Sequence, residues 1–267
     1  MIELLRFKIT AFALRFLYLF FRVGLRVVYG KEERDQLLLD GHFELYHRLN
    51  RKKYSMLWAS SKYGNESWEP QVSKFLKNIK GSLFIDIGSS IGYYTLLLAG
   101  NFTEVIAVEP EPESYRGLLE NTGHLDNVRT VRAAISDEEG ETTLYVSPTI
   151  GWHTLIPRPE KTFRYSASKT RTMTLGTLLK DKRASLVKVD TEGAELVILD
   201  GAVSEQVEAW LVEAHWGAER KHELEEKLGK MGYETTWITE NHIYANNNCA
   251  RDGLEGPLSV SHKSICD

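Results

Sequence analysis

Short apolar runs recur from residue 82 onward, and stretches of helical periodicity fill the intervals between them. Leu83-Phe84-Ile85 is the first run; it ends in Asp86 and leads through a glycine-rich turn into a helical run to Ala99. Val105-Ile106-Ala107-Val108 is the second, ending at Glu109-Pro110, with a helix through Leu118-Leu119 behind it. Val128–Ala134 reads as a third strand, Leu186–Val189 as a fourth ending at Asp190, and Trp210–Glu213 as a fifth. Ala194–Leu199 and Glu219–Met231 read as the helices after the last two. Tyr233–Ile238 and His242–Ala245 predict a hairpin around Glu240-Asn241. Strands alternating with helices imply βαβ units, so the expected fold is α/β: a doubly wound, mostly parallel sheet closed by a C-terminal antiparallel hairpin. Residues 141–174 interrupt the alternation and predict edge β-structure with a loop over the sheet.

The pattern divides the chain into residues 81–246, which carry the α/β domain, and three flanking parts. Residues 31–80 form a polar, helical N-terminal extension, in which Pro70 opens a helix over Gln71–Ile79. Residues 247–267 read as a loosely ordered tail. Residues 1–30 read as a basic, apolar, amphipathic helix. Arg15 in its middle argues against a membrane span, and no small-residue cleavage site follows. Lys8, Arg15, Arg22 and Arg26 share one stripe of that helix, while Phe12, Phe16, Leu17, Leu19 and Phe20 fill the remainder. Such a helix suits a membrane surface, the protein's own body or a second subunit.

Charge sharpens this division. The whole chain carries a net −4, whereas residues 1–30 carry Arg6, Lys8, Arg15, Arg22 and Arg26 against Glu3 alone. An acidic body is no general nucleic-acid binder, so no nucleic-acid partner is expected. Cys249 and Cys266 form neither a disulfide framework nor a metal-binding CxxC, as in a cytoplasmic protein with reduced thiols. Cytoplasmic placement, peripheral on the inner membrane face through residues 1–30, follows as an expectation.

The first strand end reads Phe84-Ile85-Asp86-Ile87-Gly88-Ser89-Ser90-Ile91-Gly92-Tyr93. Ligands of doubly wound sheets sit at the carboxyl ends of strands. Gly88 permits a tight turn, Gly92 permits close helix packing, and the helix start favours a carboxylate. The form is D-x-G-x-x-x-G rather than the GxGxxG of a dinucleotide site. This argues against an NAD-dependent oxidoreductase. An acidic residue ahead of the glycines disfavours a phosphate and suits an amino group, which points to S-adenosylmethionine. Asp86, Gly88, Ser89, Ser90, Gly92 and Tyr93 are the residues expected to contact it. Glu109, ending the second strand, is placed to accept ribose hydroxyls, and Ser136-Asp137, after the third, to lie near the adenine.

Phe84–Thr95 (FIDIGSSIGYYT), Val108-Glu109-Pro110, Ala134–Asp137 and Lys188–Glu195 (KVDTEGAE) together resemble the FkbM-type methyltransferases. The resemblance runs from about Trp68 to Trp216, and KVDTEGAE is its more specific part. It implies a class I (Rossmann-like) methyltransferase fold and methyl transfer to a hydroxyl of a small molecule, a sugar or a glycan. Asp86, Gly88 and Gly92 would then hold the methionine end, Glu109 the ribose and Asp137 the adenine. Ser89-Ser90 stands where the family often has alanine and asparagine, and residues 1–67 lie outside the resemblance.

Candidate catalytic residues follow the later strands: Asp190 and Glu192 after the fourth, His215 after the fifth and His153 in the insertion. A histidine with a reference pKa near 6.5 suits proton transfer. Glu192 could instead cap a helix, and Lys188 could pair with a neighbouring carboxylate. Asp190, Glu192 and His215 could hold Mg²⁺ or Mn²⁺, yet no spacing demands a metal, and the metal-free reading is preferred. The alternative function is a non-catalytic nucleoside-binding or assembly module of the same fold.

Overall fold

The computed structural model describes residues 69–147, 151–157, 165–215 and 217–247. The readings for residues 1–30, for 31–68 and for the tail after residue 247 lie outside the described residues.

Among the described residues, ten strands and six α-helices follow one another in chain order. They are α1 (Pro70–Leu76), β1 (Gly81–Ile87), α2 (Tyr93–Leu98), β2 (Phe102–Val108), α3 (Pro112–Thr122), β3 (Val128–Val131), β4 (Ala134–Ile135), β5 (Gly140–Val146) and β6 (Ser166–Met173). They continue as α4 (Leu175–Leu179), β7 (Leu186–Val189), α5 (Glu195–Asp200), β8 (Ala209–Glu213), α6 (Gly217–Lys230), β9 (Glu234–Trp237) and β10 (His242–Asn246). The main sheet has the order β3-β2-β1-β7-β8-β10-β9. Its first five strands are parallel, while β10 is antiparallel to both β8 and β9. The winding reverses between β1 and β7, which makes their shared carboxyl end the switch point where such folds bind ligands. The class I, Rossmann-like architecture expected from the apolar runs is therefore present.

The central strands are apolar on both faces because helices cover both faces. Phe84, Ile85, Val105, Ile106, Leu186, Val187, Trp210, Leu211 and Val212 are all fully buried. Lys188 breaks the pattern: it lies in the middle of the fourth run and is only 2% exposed. Two of the helices begin on side-chain caps. The Glu111 carboxylate accepts from Ser114 N at 2.6 Å ahead of Pro112, and Thr174 Oγ1 accepts from Thr177 N at 3.0 Å. α1 buries Val72 and Leu76 and belongs to the same compact unit as the sheet, which starts at Trp68. None of the described helices is long and apolar enough to cross a membrane.

Two expectations need correction. The third run does not continue to Ala134 as one strand. β2 ends at Val108, Glu109 N donates to Val131 O, and beyond that point β3 has no neighbour to pair with. Ala134-Ile135 instead pairs with Thr172-Met173 of β6. The insertion is thus not an edge of the main sheet. It forms a second sheet of order β4-β6-β5, with β5 and β6 antiparallel along their length.

Candidate active site

The turn between β1 and α2 is shaped by backbone. Gly88 has φ +75°, and a Cβ there would lie 1.8 Å from Asp190 O, so the turn packs directly on the end of β7. Gly92 has φ +95°, and a Cβ there would stand 2.9 Å from Leu118 Cδ1 of α3. Gly88 thus excludes a side chain twice, by torsion and by space, and Gly92 chiefly by torsion. Gly88 N and Ser89 N both donate to Val108 O, at 3.0 and 3.1 Å, which stitches the turn to the end of β2. Tyr93 turns inward, where its hydroxyl pairs with Ser73 of α1.

Asp86 is 1% exposed. Its Oδ2 accepts from Thr95 Oγ1 at 2.6 Å, while its Oδ1 is buried without a hydrogen-bond partner. Burial raises its pKa above the ordinary carboxylate value, against the opposing Lys188 charge and the Thr95 hydrogen bond. A buried orphan acceptor beside a glycine turn is the feature an incoming amino group would satisfy. Glu109 is also buried. Oε2 accepts from Ser90 N and Oε1 from Glu111 N, each at 2.9 Å. Ser90 reaches this position with φ +49°. Burial pushes the Glu109 carboxyl up to about 8, although both backbone hydrogen bonds oppose the shift. Each oxygen takes one backbone donor and keeps capacity for another, so a ribose diol fits this carboxyl.

The carboxyl ends of β7 and β8 are of another kind. Lys188 Nζ reaches Asp190 Oδ2 at 3.0 Å and lies 4.5 Å from the centre of the Tyr94 ring. Lys188 therefore pairs with a neighbouring carboxylate. Burial would raise the Asp190 pKa, but the charges of Lys188 and His215 prevail and hold it below the ordinary value. Glu192 sits at φ +56°, with its carbonyl taken by Thr154 Oγ1 at 2.9 Å. His215 Nδ1 lies 3.1 Å from Glu195 Oε1, while its Nε2 lies 3.6 Å from Glu192 Oε1 and 3.7 Å from Glu213 Oε1. Glu195 is fixed in turn by Gly193 N at 2.8 Å. Burial alone would lower the His215 pKa; hydrogen bonds to Glu192 and Glu195 and the surrounding negative charge push it up to about 11. Burial and the Asp190 charge raise Glu213 to about 9.

The structure brings Asp190, Glu192 and His215 together as the sequence suggests. It adds Glu195 and Glu213, which sequence reasoning missed. Their only signal was position: Glu195 lies inside KVDTEGAE, and Glu213 is the last residue of an apolar run. His153 lies at the edge of the group. Its Nδ1 accepts from Ser147 N at 3.2 Å, and Nε2 is 3.8 Å from Glu111 Oε2. Burial lowers its pKa despite Glu111 and Glu192. The ring nitrogen that could take a proton is thus occupied by a backbone donor. Ser136 and Asp137 do not join the glycine turn. They pack at the far end of α5, where a Cβ on Gly201 would meet Asp137 Cα at 2.6 Å and Ser136 O at 2.8 Å. This placement follows from the departure of β4 into the second sheet. As for metals, Asp190, Glu213 and His215 come within ligand distance of one another, with Glu213 standing where Glu192 was expected.

The Methyltransferase FkbM domain, as a sequence family, matches residues 86–235. Among curated proteins no match is found. Among solved structures, the chain is similar to Methyltransferase FkbM from Methylobacillus flagellatus KT, with 14% identity and a TM-score of 0.45, over 76% of this chain and 57% of that one. The chain therefore spans little more than half the length of that relative. It is also similar to precorrin-6y C5,15-methyltransferase from Geobacter metallireducens GS-15 (15% identity, TM-score 0.42, 67% and 89% covered). A third likeness is TrmK of M. capricolum in complex with S-adenosyl-homocysteine (12% identity, TM-score 0.40, 67% and 68% covered).

Proposed function

The chain belongs to the FkbM methyltransferase family, and from that premise we propose that it transfers the methyl group of S-adenosylmethionine to a hydroxyl oxygen of a small-molecule, sugar or glycan acceptor. The observation that carries this reading is the pairing of two unlike half-sites across the switch point. One offers the orphan Asp86 Oδ1 and the buried Glu109 carboxyl beside a glycine turn. The other offers Asp190, Glu192, Glu195, Glu213 and His215 at the ends of β7 and β8.

When bound, S-adenosylmethionine supplies an electrophilic methyl carbon on a positively charged sulfur. Asp86 and Glu109 would hold its amino group and ribose through hydrogen bonds. Asp190, held as a carboxylate by Lys188, would take the proton that the acceptor hydroxyl gives up as its oxygen bonds to the methyl carbon and the methyl–sulfur bond breaks, the sulfur keeping the electron pair. A positioned base of this kind contributes about 10²–10⁴-fold. His215, protonated between Glu192, Glu195 and Glu213, donates to the acceptor and orients it. Alignment of oxygen and methyl contributes the rest. For the lipid-linked version of the acceptor, the basic stripe of residues 1–30 would hold the enzyme at a membrane surface.

Calorimetric titration with S-adenosylhomocysteine and with NAD tests the cofactor. The reading requires binding of the first and none of the second. Mass spectrometry of cell-extract acceptors incubated with enzyme and S-adenosylmethionine tests the reaction, through a gain of about 14 Da per methylene. Tight S-adenosylhomocysteine binding without any methylated product across broad acceptor panels would favour the non-catalytic module instead.

A further inference from the structure

Next to the acceptor side lies a second cluster that shares only Glu213 with the methyl-transfer reading. Glu69 precedes α1 with φ +45°, Glu213 ends β8 and His242 opens β10. His242 and Glu213 face each other as register partners of an antiparallel pair. His242 Nε2 stands 3.4 Å from Glu69 Oε2 and 3.7 Å from Glu213 Oε2. His242 is 4% exposed, and this nitrogen, though flanked by two carboxylates, has no hydrogen-bond partner. A buried, unsatisfied imidazole nitrogen aimed between two carboxylate oxygens calls for a positive centre between them. Lys188 cannot be that centre through its ammonium, which is committed to Asp190.

We propose that Glu69, Glu213 and His242 bind a divalent metal ion of the zinc class. One ligand atom from each of the three lies within 4.8 Å of the others. Two ligands bonded at about 2.0–2.1 Å in tetrahedral geometry stand roughly 3.4 Å apart, so the observed N···O spacings are those of a coordination shell rather than of a hydrogen bond. One imidazole with two carboxylates is a borderline donor set that suits zinc, and three protein ligands leave a fourth position open. The surrounding residues orient the ligands as metal sites require. His242 Nδ1 is 2.9 Å from Thr239 Oγ1, and the Tyr94 hydroxyl donates to Glu69 Oε2. Such an ion ties the start of α1 to the ends of β8 and β10. It also fixes one oxygen of Glu213, whose other oxygen faces His215 in the acceptor site. The ion's binding does not depend on the methyltransferase reading.

The test uses the full chain, stripped by a chelator and dialysed, with Zn²⁺ alone as the probe against a competing chromophoric chelator. One Zn²⁺ per chain is expected. His242→Gln and Glu213→Gln should each weaken binding at least tenfold, with Glu69→Gln, the more exposed ligand, as the variant least disruptive to folding. His215→Gln should leave Zn²⁺ affinity within about twofold. No Zn²⁺ uptake by the folded wild-type chain overturns the proposal, as does loss of binding in His215→Gln with retention in His242→Gln, which would move the ion to Asp190, Glu213 and His215. S-adenosylhomocysteine titration of the same samples separates this outcome from failure of the methyltransferase reading.

Discussion

The two halves of the site, side by side on one sheet edge, are built from different materials. At the ends of β1 and β2 the work is done by backbone: two left-handed glycines, amides that hold both oxygens of Glu109, and one buried Asp86. At the ends of β7 and β8 it is done by charged side chains that neutralise one another: Lys188 with Asp190, and His215 among Glu192, Glu195 and Glu213. A backbone cradle holds a constant ligand in one pose. A cluster of ionisable groups can move protons, and its composition can change with the acceptor. On the proposed function, the first half holds the cofactor and the second carries the chemistry.

Four substitutions test this assignment, and the largest effect is expected at Asp190. Asp190→Asn should lower kcat by about 10²–10⁴-fold, while calorimetry finds S-adenosylhomocysteine affinity within about threefold of wild type. An equal loss in both measurements would erase the division. Next comes Lys188→Met, which removes a buried ammonium from half-buried Asp190 and should cost about 2–3 kcal/mol in urea unfolding. Adding Asp190→Asn to it should restore part of that loss, because the orphaned charge is then gone. Gly88→Ala forces a Cβ into Asp190 O at a positive φ. It should cost about 2–3 kcal/mol and weaken S-adenosylhomocysteine binding more than any acceptor-side change does.

The smallest effect is a pH slope. Glu109, pushed up to about 8 from an ordinary 4.5, holds its proton more tightly in the folded chain than in the unfolded one. Its contribution to stability is complete below about pH 4.5 and is lost as pH rises through about 8. Glu109→Gln should therefore flatten the fall in Tm of the ligand-free protein across that window. An unchanged slope would mean that Glu109 is already ionised in the folded chain.

The cradle half was legible because its chemistry is local in sequence. Asp86, Gly88 and Gly92 sit within one turn, and Glu109 directly follows an apolar run. The runs also located β1, β2, β7 and β8, since fully buried parallel strands must be apolar throughout. The acceptor half was legible only in part. Asp190, Glu192 and His215 follow strands, but Glu195 enters by pointing back from α5, and Glu69 and His242 arrive from opposite ends of the described chain. No spacing rule joins residues that meet only through sheet order. Asp137 shows the converse case. Its place after the third run suggested an adenine contact, while its position in the fold is set by sheet order: β3 stops pairing at Val131 and the chain passes through a second sheet to the end of α5.

One contact between the two sheets has a longer reach than its size suggests. Thr154, carried on the insertion and fully enclosed, touches the rest of the site by a single hydroxyl on the Glu192 carbonyl. The parallel sheet and its cofactor cradle take no part in that bond. On the proposed function, the insertion is a cassette that can lengthen, shorten or change its surface around that threonine and so reshape the acceptor pocket, while the backbone turn at β1 stays as it is.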